Sequence, residues 1–311
     1  MSSGTGVTYR QVTRFIGCFK IRRYGIKGDK GMKLLRFGES GQERPAIVAG
    51  DGTVRDISGG VADLAAGILS PAGLERLAGI DPSGLPEVPA GTRIGAVVPM
   101  PYNYIGVGLN YADHAEEAGM PIPKEPILFT KAPTSLSGPN DDVVFPKGST
   151  KGDWEVELAI VIGSESFEVP EARALDHVAG YAISNDVSER AWQLEGTGQW
   201  LKGKSAPTWG PLGPWLVTTD EVPDPQALEM RLEVNGETMQ QGSTRTMIFG
   251  VAEIVSYTSR FMRLLPGDVI VTGTPPGVGM GRKPQRFLAH GDEMRVTIEG
   301  LGEQRQKVVF R

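Results

Sequence analysis

Apolar and polar positions alternate with a period of two along much of this chain, the signature of strands with distinct faces. Lys33-Leu34-Leu35-Arg36-Phe37 and Pro45-Ala46-Ile47-Val48-Ala49 predict strands, and Gly50-Asp51-Gly52 ahead of Val54-Arg55-Asp56-Ile57 predicts a hairpin turn. Residues 61–78 shift to helical spacing, and Pro- and Gly-rich sequence follows from Asp81 to Gly91. Tyr104 to Gly108 predicts a strand and Asn110 to Glu117 a short helix. Asn110 or Asp113 is the expected cap there, since Asp113 and Glu116 have capping-box spacing. Asn235-Gly236 between Leu232-Glu233-Val234 and Glu237-Thr238-Met239 predicts a second hairpin. Ile248 to Leu264 has helical spacing, while Val269 to Thr272 and Met294 to Ile298 read as strands. No internal repeat, heptad or low-complexity tract interrupts the pattern.

The most informative stretch is Asp153-Trp154-Glu155-Val156-Glu157-Leu158-Ala159-Ile160-Val161-Ile162-Gly163. Read as a strand, it sends Val156, Leu158, Ile160 and Ile162 to one face and Glu155, Glu157, Ala159 and Val161 to the other. Two carboxylates then point the same way, roughly 7 Å apart at ~3.3 Å per residue. Like charges held beside a core are costly without a positive charge between them, and a divalent cation is the simplest answer. Tyr181 to Asp186 predicts a strand that ends on a third acid. Three carboxylates form an all-oxygen set that suits Mg²⁺, Mn²⁺ or Ca²⁺ rather than structural zinc. A Glu-x-Glu pair is equally at home on a solvated strand face, so the surrounding chemistry decides.

His114 and Glu117 stand three residues apart on one short helix and are therefore neighbours. A carboxylate beside an imidazole orients it and raises its basicity, as a general base for water requires. Lys204 lies in the glycine-flanked loop Lys202-Gly203-Lys204-Ser205-Ala206-Pro207, where an ammonium could stabilise developing negative charge or stand solvated. Thr272-Gly273-Thr274-Pro275-Pro276-Gly277-Val278-Gly279-Met280-Gly281 follows a strand but is neither a Walker loop nor a dinucleotide fingerprint. Its main-chain N–H groups and the Thr274 hydroxyl could grip a substrate carboxylate, or it is a plain strand-exit loop.

Length and composition narrow the class. A chain of 311 residues holds one large domain, alone or with a small satellite. With 42 glycines and 23 prolines, strands and shaped loops are favoured over long helices. The net charge of −5 gives no electrostatic reason for a nucleic-acid partner. No apolar run reaches the roughly 18 residues of a membrane span, and the single Cys18 suits a reducing, cytoplasmic setting. Residues 1–31 carry seven Lys and Arg against Asp29 alone and read as a flexible basic extension. The expected division is 1–31 as extension, 32–95 as a small β-rich domain and 96–311 as the metal-binding catalytic domain.

Together, Gly108-Leu109-Asn110-Tyr111-Ala112-Asp113-His114, Glu155-Val156-Glu157-Leu158, Gly180-Tyr181 through Asp186, Gly203-Lys204-Ser205 and the 272–279 loop resemble the fumarylacetoacetate hydrolase family. The resemblance implies a strand-rich, mixed α+β fold of β-roll or barrel-like form with a small β-rich N-terminal domain. It implies Mg²⁺ (or Mn²⁺ or Ca²⁺) on Glu155, Glu157 and Asp186, a water-activating His114–Glu117 dyad, Lys204 on the oxyanion, and substrate contacts from Arg190, Gln193 and Thr274. It further implies a homodimer or higher homo-oligomer. One departure stands out: Leu109 occupies a position that is often Arg or Lys in the family. The wider pattern is similar to the branch that hydrolyses 2,4-diketo-3-deoxy sugar acids of the L-rhamnonate type. The expected reaction is cleavage of the C3–C4 bond of a small 2,4-dioxo acid to pyruvate and a second acid such as lactate. An enolate-forming tautomerase or oxaloacetate-type decarboxylase uses the same metal cup, and a noncatalytic Ca²⁺-stabilised β module explains the acids alone.

Overall fold

A computed structural model describes residues 31–117 and 119–311. Apart from Gly31, the basic extension and its Cys18 lie outside the described residues. What is described is a strand-rich α+β fold built on two large sheets, with Gly152–Asp153 and Ser188–Glu189 forming a separate two-stranded pair. The larger, eleven-stranded sheet runs in the order Val54–Asp56, Arg44–Val48, Lys33–Phe37, Gly210–Thr218, Val178–Asn185, Val156–Ile162, Val269–Val271, Tyr104–Gly108 and Ile127–Thr130, with two short strands paired off this path. The five-stranded sheet runs Glu237–Ser243, Glu229–Val234, Glu293–Ile298, Gly302–Phe310 and Val143–Phe145. Neither sheet closes on itself, so no closed barrel forms among the described residues.

The Val156–Ile162 strand lies between two cores. Val156, Leu158, Ile160 and Ile162 join the cluster that also holds Leu232, Val234, Val296 and Ile254. Ala159 and Val161 join a second cluster with Leu34, Leu69, Val97 and Leu216. The face that carries Glu157 is thus as dry as its opposite, which is why an exposed-strand reading of these acids fails. Lys33–Phe37 pairs antiparallel with Gly210–Thr218, so the sheet runs straight through the expected boundary near residue 95.

Register brings the site together. Val156 sits opposite Asn185, and Ala159 opposite Val271, in antiparallel pairs; Val271 sits opposite Gly106 in a parallel pair. The start of one strand and the ends of three others therefore reach the same edge of the sheet. Glu155, Asp186, Gly273 and Leu109 are the residues that emerge there.

The hairpins form as their turn residues dictate: Val48 opposes Val54, and Val234 opposes Glu237 across Asn235 and Gly236, both at positive φ (53° and 79°). The helices are shorter than the periodicity suggests. Pro71 splits 61–78 into Ala66–Leu69 and Pro71–Ala78, and 248–264 contracts to Val251–Ser259. Asn110 and Asp113, the expected caps of the Ala112–Glu117 helix, have other partners. Asn110 instead donates to Phe249 O (3.1 Å) and Thr272 O (2.8 Å) and accepts from Phe249 N–H, while the Asp113 carboxylate accepts from His114 N–H.

Leu158 is fully buried in the strand that carries the glutamates. Leu158→Ala should lower unfolding free energy by about 2–5 kcal/mol in a denaturant titration.

Candidate active site

Glu155, Glu157 and Asp186 converge. One carboxylate oxygen from each lies within 4.8 Å of the others, and all three residues are buried. Four buried carboxylates, counting Asp153, face three buried cations, Lys131, Arg190 and Lys204. Lys204 Nζ donates to Glu155 Oε2 (2.6 Å) and Asp186 Oδ2 (2.7 Å). Lys131 Nζ donates to Asp186 Oδ1 and to the Lys204 carbonyl (2.6 Å). Arg190 Nε donates to Asp153 Oδ2 (2.7 Å) and Nη1 to Gln193 Oε1 (2.9 Å), and Nη2 pairs with Glu155 Oε1 at 2.7 Å.

This arrangement divides the acids electrostatically. Burial pushes the Glu155 carboxyl up, but the Lys204 and Arg190 charges outweigh it and hold the group at about 2. Glu157 receives a weaker offset from Lys204 and a hydrogen bond from Gly273 N–H (2.7 Å). Burial, and then the Asp186 and Glu155 charges, hold it well above the usual carboxylate range. The donor set therefore fits a hard divalent ion: its oxygens converge, and one of its acids ionises more readily when more positive charge arrives.

His114 Nδ1 lies 3.0 Å from Glu117 Oε2. An ionised carboxylate only accepts, so Nδ1 carries a proton, and in the neutral imidazole Nε2 is then the basic nitrogen. The Glu117 carboxylate also accepts from Gly277 N–H (3.0 Å). At Gly281 a Cβ would stand 2.8 Å from the Glu117 carboxyl carbon, so this position must stay bare for the dyad to keep its place.

The glycine-rich loop does grip carboxylates with its backbone, but they are the protein's own. Gly273 N–H goes to Glu157, Gly277 N–H to Glu117, and Gly279 and Met280 N–H to Asp153 (2.7 and 3.0 Å). The Thr274 hydroxyl donates to Val156 O (2.9 Å) and accepts from Gln240 Nε2 (2.8 Å), so its proton is already engaged. Arg190 likewise faces Asp153, Gln193 and Glu155. Of the three residues implied as substrate contacts, Gln193 has its carbonyl oxygen turned to Arg190, which leaves its amide N–H groups for the cavity.

One cavity of about 740 Å³ collects these groups. His114, Glu117, Glu155, Glu157, Arg190, Gln193, Lys204 and Thr274 line it, together with Leu109, Phe129 and Trp200. Asp186 is fully buried and is not among the lining residues. Sequence reasoning missed Lys131, Asp153 and Gln240 as site residues. Asp153 stands two positions before Glu155 in the quoted motif, but nothing local reveals that its carboxylate holds both a distant loop and Arg190. Lys131 follows Ile127-Leu128-Phe129-Thr130, and nothing in the local sequence marks it as a site lysine.

Comparison with known proteins agrees with this geometry. The model of the fumarylacetoacetate (FAA) hydrolase C-terminal family matches residues 103–309, and the chain belongs to this family. A Burkholderia cenocepacia (strain HI2424) protein that carries the name hydrolase without a stated substrate is 60% identical over 277 residues, 89% of this chain and 98% of that one. Among solved structures, 2-hydroxyhepta-2,4-diene-1,7-dioate isomerase from Mycobacterium marinum superposes with a TM-score of 0.72 at 35% identity, covering 90% of this chain and 99% of that one. Maleylpyruvate hydrolase from Sphingobium sp. SYK-6, in complex with manganese(II) and pyruvate, superposes with a TM-score of 0.75 at 31% identity, covering 90% and 99%.

Two outcomes follow. Divalent-ion affinity should weaken as pH falls, because below its raised pKa Glu157 holds a proton that the ion must displace. Calorimetric Mn²⁺ titration at a series of pH values checks this, and Glu157→Gln should lose most of both the affinity and its pH dependence. Asp153→Ala strips Arg190 of one of its two buried acidic partners and the loop amides of their acceptor, and should cost about 3–5 kcal/mol of unfolding free energy.

Proposed function

We propose that this chain is a divalent-metal-dependent hydrolase of 2,4-dioxo acids, cleaving C3–C4 to give pyruvate and a second carboxylic acid. The observation that carries the reading is that the His114–Glu117 pair and the carboxylates of Glu155 and Glu157 line one cavity. A divalent ion held by Glu155, Glu157 and Asp186 supplies Lewis-acid polarisation of the 2-oxo acid end of the substrate. His114 Nε2 takes a proton from water, and Glu117 steadies the imidazolium that results. The hydroxide adds to the C4 carbonyl. Lys204 has two of its three N–H groups on Glu155 and Asp186, and the third is available to the C4 oxyanion. Collapse breaks C3–C4 and leaves the electron pair on the pyruvate enolate. The His114 proton returns to C3, so water is divided between the two products.

The finer reading is a substrate of the 2,4-diketo-3-deoxy-L-rhamnonate type, whose second product is lactate. Leu109 supports it: this position offers no basic side chain to anchor a second carboxylate and stands with Phe129 and Trp200 on the cavity wall, which Arg282 and Lys283 also line. Mg²⁺ is the proposed resident ion on the hard-oxygen donor set.

A second reading keeps the same residues for isomerisation, with His114 moving a proton between carbons. The similarity to the Mycobacterium marinum isomerase favours it. Following a panel of 2,4-dioxo acids by proton NMR, with Mg²⁺ and with a chelator, separates the two. Hydrolysis yields pyruvate with a second acid only when the ion is present; a new tautomer without pyruvate supports isomerisation. His114→Ala should lower the hydrolytic rate by ~10²–10⁴-fold. Near-parent turnover in that variant would remove the dyad from the mechanism.

A further inference from the structure

Lys131 takes no part in the proposed chemistry, yet it is among the largest fully buried side chains of the molecule. It follows the Ile127–Thr130 strand, and its main-chain N–H donates to Tyr104 O (2.8 Å). Its Nζ reaches Asp186 Oδ1 and the Lys204 carbonyl. Next to it, Ala132 N–H donates to Ser205 Oγ (2.8 Å), so residues 131–132 and 204–205 are tied twice. Burial, with the Lys204 charge, holds its ammonium below the ordinary lysine range, and the Asp186 carboxylate works the other way.

The charges around it are few and named. With all four ionised, as a bound cation requires, Asp153, Glu155, Glu157 and Asp186 carry one negative charge more than Lys131, Arg190 and Lys204 can offset. Glu189, also buried, is satisfied by backbone N–H groups of Lys151 (2.7 Å) and Trp192 (3.3 Å). A divalent ion would turn the excess into one positive charge, which matches one substrate carboxylate. Without Lys131 the same ion would only neutralise the cluster.

We propose that Lys131 is a positioning residue and the buried counter-charge of this site: it lowers the site's affinity for the cation and, once a cation is bound, makes the site receptive to an anion. This rests on the metal-site reading above, but not on which reaction follows. Its signature is a pair of opposite changes. A tie that only supports the fold would, on removal, weaken both affinities together.

The test uses the full-length protein stripped of metal and titrated calorimetrically, first with Mn²⁺ and then, when Mn²⁺-loaded, with pyruvate. In Lys131→Met, and in Lys131→Gln, which keeps a neutral N–H donor for Asp186, Mn²⁺ should bind at least about tenfold tighter and pyruvate about tenfold more weakly, as expected for a unit charge lost in a low-dielectric site. Ser205→Ala, which cuts the neighbouring tie and keeps the charge, should leave both within about threefold of the parent, the size of a lost neutral hydrogen bond. Weaker Mn²⁺ binding in both lysine variants, or unchanged pyruvate affinity, overturns the proposal. If only the glutamine variant folds, it decides alone, and if neither folds while Ser205→Ala does, Lys131 is a structural tie and the proposal falls. A parent protein that takes up no Mn²⁺ fails the metal-site reading itself. A parent that binds both probes but hydrolyses nothing fails only the proposed reaction.

Discussion

Like charges cannot be buried side by side without compensation, and this molecule buries four carboxylates at one edge of its main sheet. The cost of removing an ion from water exceeds anything packing returns locally, so the position of every nearby cation is dictated by those acids. Lys204 bridges Glu155 and Asp186, Lys131 backs Asp186, and Arg190 links Glu155 to Asp153. What these three cannot offset falls on Glu157, the acid that stands above its usual range. The proposed affinity for a divalent cation is in this sense a property of the fold rather than of three ligands.

The 273–281 loop supplies the second half of the architecture. Its bare backbone amides hold Glu157, Glu117 and Asp153, which come from three separate segments of chain. A loop without side chains in the way can approach carboxylates closely, and here it fixes Glu117, the partner of His114, in one frame with Glu157 and Asp153. Catalysis that depends on a base and a Lewis acid acting on one small molecule needs that common frame, since small misplacement costs rate steeply.

Much of this was legible in the chain. Period-two patterning placed the strand that carries Glu157 and assigned Val156, Leu158 and Ile160 to one core face, where they are found. Asn235-Gly236 fixed its hairpin because few other pairs accept positive φ twice in a row. Three-residue spacing paired His114 with Glu117. The remainder was invisible for a physical reason: it depends on contacts between residues far apart in sequence. Asp153 meets Gly279 across 126 positions and Lys131 meets Lys204 across 73, and no local period encodes either. The glycine loop shows both sides of this, since its capacity to bind carboxylates was readable and their identity as Glu157, Glu117 and Asp153 was not.

The central claim is that an excess of buried negative charge at Glu155, Glu157 and Asp186 is relieved by a hard divalent cation. Thermal unfolding of chelator-treated protein across a series of Mg²⁺ or Mn²⁺ concentrations tests it most directly. A saturable rise in melting temperature, absent with equal ionic strength of a monovalent salt, is the predicted result, because an ion that binds only the folded state stabilises it. A melting temperature indifferent to divalent ions would contradict the account.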